Sequence, residues 1–235
     1  MEIFRLIIDK YSPDEIKKYL DAHPQAAAGK DDDGLFPLHH AAWYDNPEVV
    51  RIILDAHPEA AAGKDNSGWF PLHCAASNSN PKVVRIILDA HPQAAAGKGK
   101  DGRFPLHIAA SNENLEVVKI ILDAHPEAIV AKNFLGEKTP LDLAKIQDYL
   151  NVIEVLESAL DKFMDRVPKE FICPITCDIM NDPVVAEDGN TYERADIVQW
   201  FKDHDTSPLT NVVLESKKVI PNRALKSLLD SYMGN

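Results

Sequence analysis

Along residues 47–56, apolar and polar positions recur with a helical period. Val49, Val50, Ile53 and Leu54 fall on one face and Glu48, Arg51 and Asp55 on the other. The spacing predicts an amphipathic helix that Pro58 stops. The same V-V-x-I-I-L-D-A-H-P string returns at Val83–Pro92. Upstream stands F-P-L-H, at Phe36–His39, Phe70–His73 and Phe104–His107, followed by Ala41-Ala42, Ala75-Ala76 and Ala109-Ala110. Proline at a first helical position forfeits no hydrogen bond, and paired alanines let a short inner helix approach its neighbour. Gly34, Gly68, Gly102 and Gly136 recur every 34 residues and can hold a positive φ at a turn tip. This period predicts a solenoid of helix pairs.

The ends of the array are degenerate. Met1–Gly29 reads as an incomplete leading copy, while Thr139-Pro140-Leu141 opens a trailing one whose apolar face is Val152, Ile153, Leu156 and Leu160. Residues 160–167 contain no glycine or serine run, which predicts a stiff helical junction ending at Pro168. Beyond it the pattern changes. Val184 and Val185 precede Asp188-Gly189, a hairpin signal, and Ile197, Val198, Trp200 and Phe201 give Arg194–Lys202 a helical apolar face. After a loop around Pro208, Asn222 reads as the N-cap of a last helix carrying Leu225, Leu228 and Leu229. The expected fold is mostly α: a solenoid over 1–160, a junction over 161–167 and a small α+β domain over 168–235.

Composition narrows the chemistry. A net charge of -12 and a pI near 5.1 disfavour a nucleic-acid footprint, which needs a clustered basic face. No apolar run approaches membrane-spanning length, and Ile3–Ile8 is broken by Arg5, so a soluble protein of the cytoplasm or nucleus is expected, with no membrane partner. Three cysteines argue against a disulfide framework. In the last domain Cys173 and Cys177 have only His204 as a further soft ligand, against about eight for a paired zinc site. Neither metal nor cofactor is expected.

The repeated P-L-H-x-A-A helix pair resembles the ankyrin repeat. Phenylalanine replaces the usual threonine before Pro-Leu-His, Asp45-Asn46 and its equivalents replace Gly-His, and the period is one residue longer. Phe36, Phe70 and Phe104 are expected to insert between repeats, each contributing roughly 1.5–3 kcal/mol if fully buried. The resemblance implies that His39, His73 and His107 hydrogen-bond between adjacent turns and hold no metal. Near-identical copies differ at Leu35, Trp69 and Arg103, at Trp43, Ser77 and Ser111, and at Tyr44, Asn78 and Asn112. In ankyrin families these slots face the concave groove, so Leu35, Trp43, Tyr44, Trp69, Asn78, Arg103 and Asn112 are the candidate target-binding residues. A solvated surface without a partner would vary too, but exposed aromatics are common anchors.

The last domain reads F-I-C-P-I-T (Phe171–Thr176), D-P-V-V-A-E-D-G-N-T-Y-E-R (Asp182–Arg194), I-V-Q-W-F (Ile197–Phe201), S-P-L-T-N (Ser207–Asn211) and I-P-N-R-A-L (Ile220–Leu225). It resembles a U-box, the zinc-free relative of the RING domain of ubiquitin ligases. The resemblance implies a shallow groove for a ubiquitin-conjugating enzyme, with Ile175, Cys177, Trp200, Pro208 and Asn211 as contacts. Asn211 stands where many RING-type domains carry an arginine that clamps the thioester-linked ubiquitin. Cys173 and Cys177 have no evident base, so no covalent intermediate and no catalytic side chain is expected. The implied function is a ubiquitin-protein ligase with three partners: a conjugating enzyme, ubiquitin and a target on the repeats. The alternatives are a non-catalytic adaptor and a factor that elongates existing ubiquitin chains.

Without metal, Glu187, Asp188, Thr191, Arg194, Ser207, Thr210 and Asn222 are candidates for polar cross-bracing. Phe171, Val184, Tyr192, Ile197, Trp200, Ile220, Leu225 and Leu228 are the expected core. So small a domain is marginal alone, and docking or homodimerisation would add stability.

Overall fold

A computed structural model describes residues 2–134 and 137–233, so Gly136 lies outside the described residues. The chain divides into two units between Lys162 and Phe163.

The first unit is an array of helix pairs: α1 (Glu2–Ile8) with α2 (Pro13–Ala22), α3 (Pro37–Trp43) with α4 (Pro47–Ala56), α5 (Pro71–Ala76) with α6 (Pro81–Ala90), and α7 (Pro105–Ala110) with α8 (Leu115–Ala124). The last elements are α9 (Pro140–Gln147) and α10 (Leu150–Met164). The D-A-H-P-x-A-A-A strings end the outer helices and wind into 3-10 turns, as at Pro58–Ala62 and Pro92–Ala96. Asn46, Asn80 and Asn114 cap α4, α6 and α8 by accepting backbone N–H bonds, which explains asparagine at this departure from the repeat pattern.

Phenylalanine at the start of each inner helix removes the capping hydroxyl that Thr139 still supplies to α9. Histidine at the third helical position keeps the other half of that cap, the half that Asp142 supplies to the Thr139 N–H. The backbone N–H of Phe70 donates to Nδ1 of His73, whose Nε2 then donates to the Arg103 carbonyl of the next copy. His39 does the same between Phe36 and Trp69, and His107 between Phe104 and the carbonyls of Ala131 and Lys138. With Nδ1 accepting and Nε2 donating, each ring is a neutral imidazole. Burial pushes His73 and His107 down to about 4 and lowers His39 as well.

Phe70 and Phe104 are buried and Phe36 half-buried. Each ring packs under a lysine ammonium, Lys30, Lys64 or Lys98, at 4.6, 4.7 and 5.0 Å. Against Phe70 lies Gly97 at the end of its own copy, where any Cβ would come within 2.1 Å of the ring, so the ring packs largely within its copy rather than between copies as expected. Gly34, Gly68 and Gly102 hold φ near +77° at the hairpin tips. Successive hairpins are joined by backbone bonds, from Asn66 to Asp33 at 3.0 Å and from Lys100 to Ser67 at 2.8 Å.

In the second unit, β1 (Pro183–Val185) and β2 (Thr191–Glu193) form the hairpin, with Val184 opposite Tyr192. The two-residue β3 (Ile220–Pro221) pairs with the other edge of β1. Helices α11 (Arg194–Asp203) and α12 (Arg223–Tyr232) complete it. Phe171, Val184, Tyr192 and Ile197 are buried, joined by Cys173, Met180, Phe201 and Leu229. Two expected core residues are not. Ile220, on the short edge strand, is 61% exposed, and Leu228 is 59% exposed because its neighbour Leu229 takes the inward face of α12. Trp200 and Leu225 are half-buried.

Candidate functional site

The second unit contains two loops built alike. Cys173-Pro174-Ile175-Thr176-Cys177 and Ser207-Pro208-Leu209-Thr210-Asn211 each close with an N–H to the carbonyl four residues back, Cys177 to Cys173 at 2.8 Å and Asn211 to Ser207 at 3.0 Å. Cys177 and Asn211 both sit in the left-handed region, with φ of 62° and 61°. At the base of each loop the side chain, Cys173 or Ser207, is fully buried.

Hydrogen bonds hold those bases. Cys173 Sγ faces Asp196 Oδ2 at 3.3 Å and accepts the Glu193 N–H. Ser207 Oγ donates to Asp188 Oδ2 and accepts the N–H groups of Leu209 and Thr210 at 3.2 and 3.0 Å. The Tyr192 hydroxyl donates to the same Asp188 oxygen at 2.7 Å. Burial works to raise the Asp188 carboxyl, but donors from Ser207, Tyr192 and Asn190 outweigh it and hold it below the usual range. Burial pushes the Tyr192 phenol up to about 12. Asn222 caps α12 through its side-chain oxygen and donates to Thr191 Oγ1 at 3.1 Å. Arg194 pairs with Asp182 at 2.6 Å, and Glu187 accepts the Ser216 N–H. Thr210 joins this bracing through its backbone alone among the described contacts.

One helix ties both loops together. Asp196 and Trp200, four apart and so on one face of α11, reach in opposite directions. Asp196 accepts the Thr176 hydroxyl at 3.0 Å, while the Trp200 indole N–H donates to the Thr206 carbonyl at 2.7 Å. Trp200 also stacks on His204, with ring centroids 3.9 Å apart. What the loops leave outward is apolar and flanked by polar tips: Ile175 and Pro208 half-buried, Leu209 exposed by 53%, Cys177 and Asn211 exposed.

In the first unit a concave cavity of about 610 Å³ opens between three consecutive hairpins and the inner helices. Leu35, Trp43, Tyr44 and Trp69 form its apolar walls, and Asp65, Lys100 and Asp101 carry charge. Asp65 Oδ1 accepts the N–H groups of Ser67 and Trp69, both at 2.8 Å. The Trp69 ring stacks on His73 and lies 5.2 Å from the Arg103 guanidinium, which pairs with Asp101 at 2.6 Å. His40 pairs with Asp31 at 2.7 Å.

Comparison with known families is consistent with both parts. A model of the U-box domain matches residues 167–235, and models of ankyrin repeats match residues 4–98 and 97–144. The chain carries ankyrin repeats followed by a U-box domain. Among curated relatives, U-box domain-containing protein 4 of Oryza sativa subsp. japonica is 49% identical over 69 residues, 29% of this chain and 10% of the relative. The human WD repeat, SAM and U-box domain-containing protein 1 is 42% identical over 85 residues, 36% of this chain and 18% of its own length. A probable bifunctional E2/E3 enzyme of Acanthamoeba polyphaga mimivirus is 45% identical over 74 residues, 32% of this chain and 6% of its own. The chain thus spans between 6% and 18% of the length of these relatives.

Within the U-box, the structure gathers Ile175, Cys177, Pro208 and Asn211 on the two twin loops and sets Trp200 as the tie between them. Leu209 was missed, although S-P-L-T-N mirrors C-P-I-T-C and places it where Ile175 stands in the first loop. In the ankyrin groove Leu35, Trp43, Tyr44 and Trp69 come together, whereas Asn78, Arg103 and Asn112 do not line the same cavity. Asn78 donates to the carbonyls of Ala42 and Trp43, Asn112 donates to the Ile108 carbonyl at the end of α7, and Arg103 is held by Asp101. Asp65, Lys100 and Asp101 were missed because the cavity draws on different slots of consecutive copies, and comparing copies slot by slot does not show which slots meet.

Proposed function

We propose that this protein is a ubiquitin-protein ligase. Its U-box receives a charged ubiquitin-conjugating enzyme on the twin loops, and its ankyrin repeats hold the target. The observation that carries this reading is the paired loops, alike in sequence and backbone, bound to one face of α11 and presenting Ile175, Pro208 and Leu209 outward. The chemistry is attack of a target lysine amine on the conjugating enzyme's thioester carbonyl, with the thiol leaving. The ligase supplies proximity and orientation and forms no bond of its own.

Reconstitution with an activating enzyme, ubiquitin and a panel of conjugating enzymes tests it. At least one conjugating enzyme is expected to build ubiquitin chains on this protein's own lysines, with Leu209→Ala reducing the yield about tenfold. Chain formation unaffected by that substitution would remove the twin loops from the mechanism. Asn211 favours a second reading, the adaptor: its left-handed backbone explains an asparagine there, and its amide offers no positive charge to a bound ubiquitin. An adaptor would bind a conjugating enzyme through the same loops and produce no chains.

A further inference from the structure

Among the described residues, the groove of the ankyrin repeats has a carboxylate oxygen without a partner and aromatic walls beside it. We propose that it takes the arginine side chain of an extended segment of the bound protein, the alkyl stem lying against Leu35, Trp43 and Tyr44 and the guanidinium reaching Asp65. The proposal rests on the reading that the repeats hold the target, and it names what they recognise.

Three observations converge on a cation. Trp43 is 53% exposed and Tyr44 is exposed beside it, on the wall of a cavity of about 610 Å³, a size suited to one inserted side chain and its flanking backbone. Asp65 uses Oδ1 to cap its own turn, while Oδ2 has no hydrogen bond or ion pair among the described residues. The nearby carboxylates are already engaged, Asp101 by Arg103 and Asp31 by His40. The repeats also display this chemistry internally. Arg103 lies 5.2 Å from the Trp69 ring with Asp101 at its side, and lysines cover Phe36, Phe70 and Phe104. Arginine suits the site better than lysine, because its planar head can stack on a ring while its N–H groups point sideways to a carboxylate. A net charge of -12 favours encounter with a basic partner. Lys100, which also lines the cavity, opposes it.

The chain's three tryptophans provide the test, since Trp43 and Trp69 line the groove and Trp200, bonded to Thr206, is a reference in the U-box. The probes are acetylated, amidated heptapeptides Gly-Ser-Leu-X-Leu-Ser-Gly, with X as Arg, Lys, Gln or Glu, titrated into the nitrogen-15-labelled full chain. The Arg peptide is expected to shift the Trp43 and Trp69 indole signals saturably and leave Trp200 in place, with the Gln peptide at least fivefold weaker. Asp65→Asn keeps the Oδ1 acceptor and removes the charge, so it should weaken the Arg peptide by a similar factor and leave the Gln peptide unchanged. Lys100→Gln should tighten the Arg peptide. Equal or better binding of the Gln, Glu or Lys peptide would overturn the arginine assignment while leaving the groove as a target site. Unmoved indoles with all four peptides would overturn both, and neither result bears on U-box activity, which is read from ubiquitin transfer alone.

Discussion

Histidine and serine carry more of this structure than their number suggests. His39, His73 and His107 bridge adjacent copies only as neutral imidazoles, because each Nδ1 accepts the N–H of a phenylalanine. Burial holds His73 and His107 at about 4, below their ordinary 6.5. Between those values the unfolded chain binds more protons than the folded one, so stability falls as pH drops from about 6.5 toward 4. Thermal unfolding of the repeats should show a flat midpoint above pH 7 and a steady decline through that window, shallower in His73→Gln. A midpoint independent of pH down to 4.5 would contradict the neutral bridges. In the U-box, Ser207→Ala would strip a donor from Asp188 and leave the Leu209 and Thr210 N–H groups without their acceptor. Chemical denaturation should record a loss of about 1–3 kcal/mol, and a loss below about 0.5 kcal/mol would mean that water replaces the hydroxyl.

At the scale of elements, the helices and the hairpin were legible because their signals are local. Val49, Val50, Ile53 and Leu54 fall on the buried face of α4, Asn222 caps α12, and Gly189 turns the β1–β2 hairpin with φ of 78°. Ile220 and Leu228 were misread because a two-residue strand and adjacent leucines in a helix do not declare which side meets a core. The twin loops were legible as motifs, yet their mutual placement depends on Asp196 and Trp200, whose contacts cross 20 and 6 residues of sequence. Phenylalanine in place of threonine makes sense only with the far end of its own copy in view, since the Phe70 ring occupies the space beside Gly97. Phe70→Thr should therefore destabilise the repeats by about 2–4 kcal/mol, as a cavity cost of roughly 3–5 kcal/mol outweighs a regained cap of about 1 kcal/mol. Unchanged or increased stability in urea would show the ring to be dispensable.

For the whole molecule, the proposed function assigns target capture and ubiquitin transfer to different units, each with a surface of its own. The ankyrin groove is concave and aromatic, and the U-box surface is a pair of apolar loop tips flanked by polar residues. Its bracing is a set of ordinary hydrogen bonds, of which Asp188, Tyr192 and Ser207 form the best-connected part. The fold class and the motifs that carry the two candidate surfaces could be read from the sequence, and so could the kinship of Leu209 with Ile175, whereas the Asp65 oxygen left without a partner among the described residues needed three dimensions. The most direct measurement is single-turnover discharge of ubiquitin from charged conjugating enzymes to free lysine, with and without this protein and its Ile175→Ala variant. The account predicts acceleration of at least tenfold with one or more conjugating enzymes, lost in the variant while its fold is retained. No acceleration across the panel by a folded protein, or acceleration that survives Ile175→Ala, would contradict it.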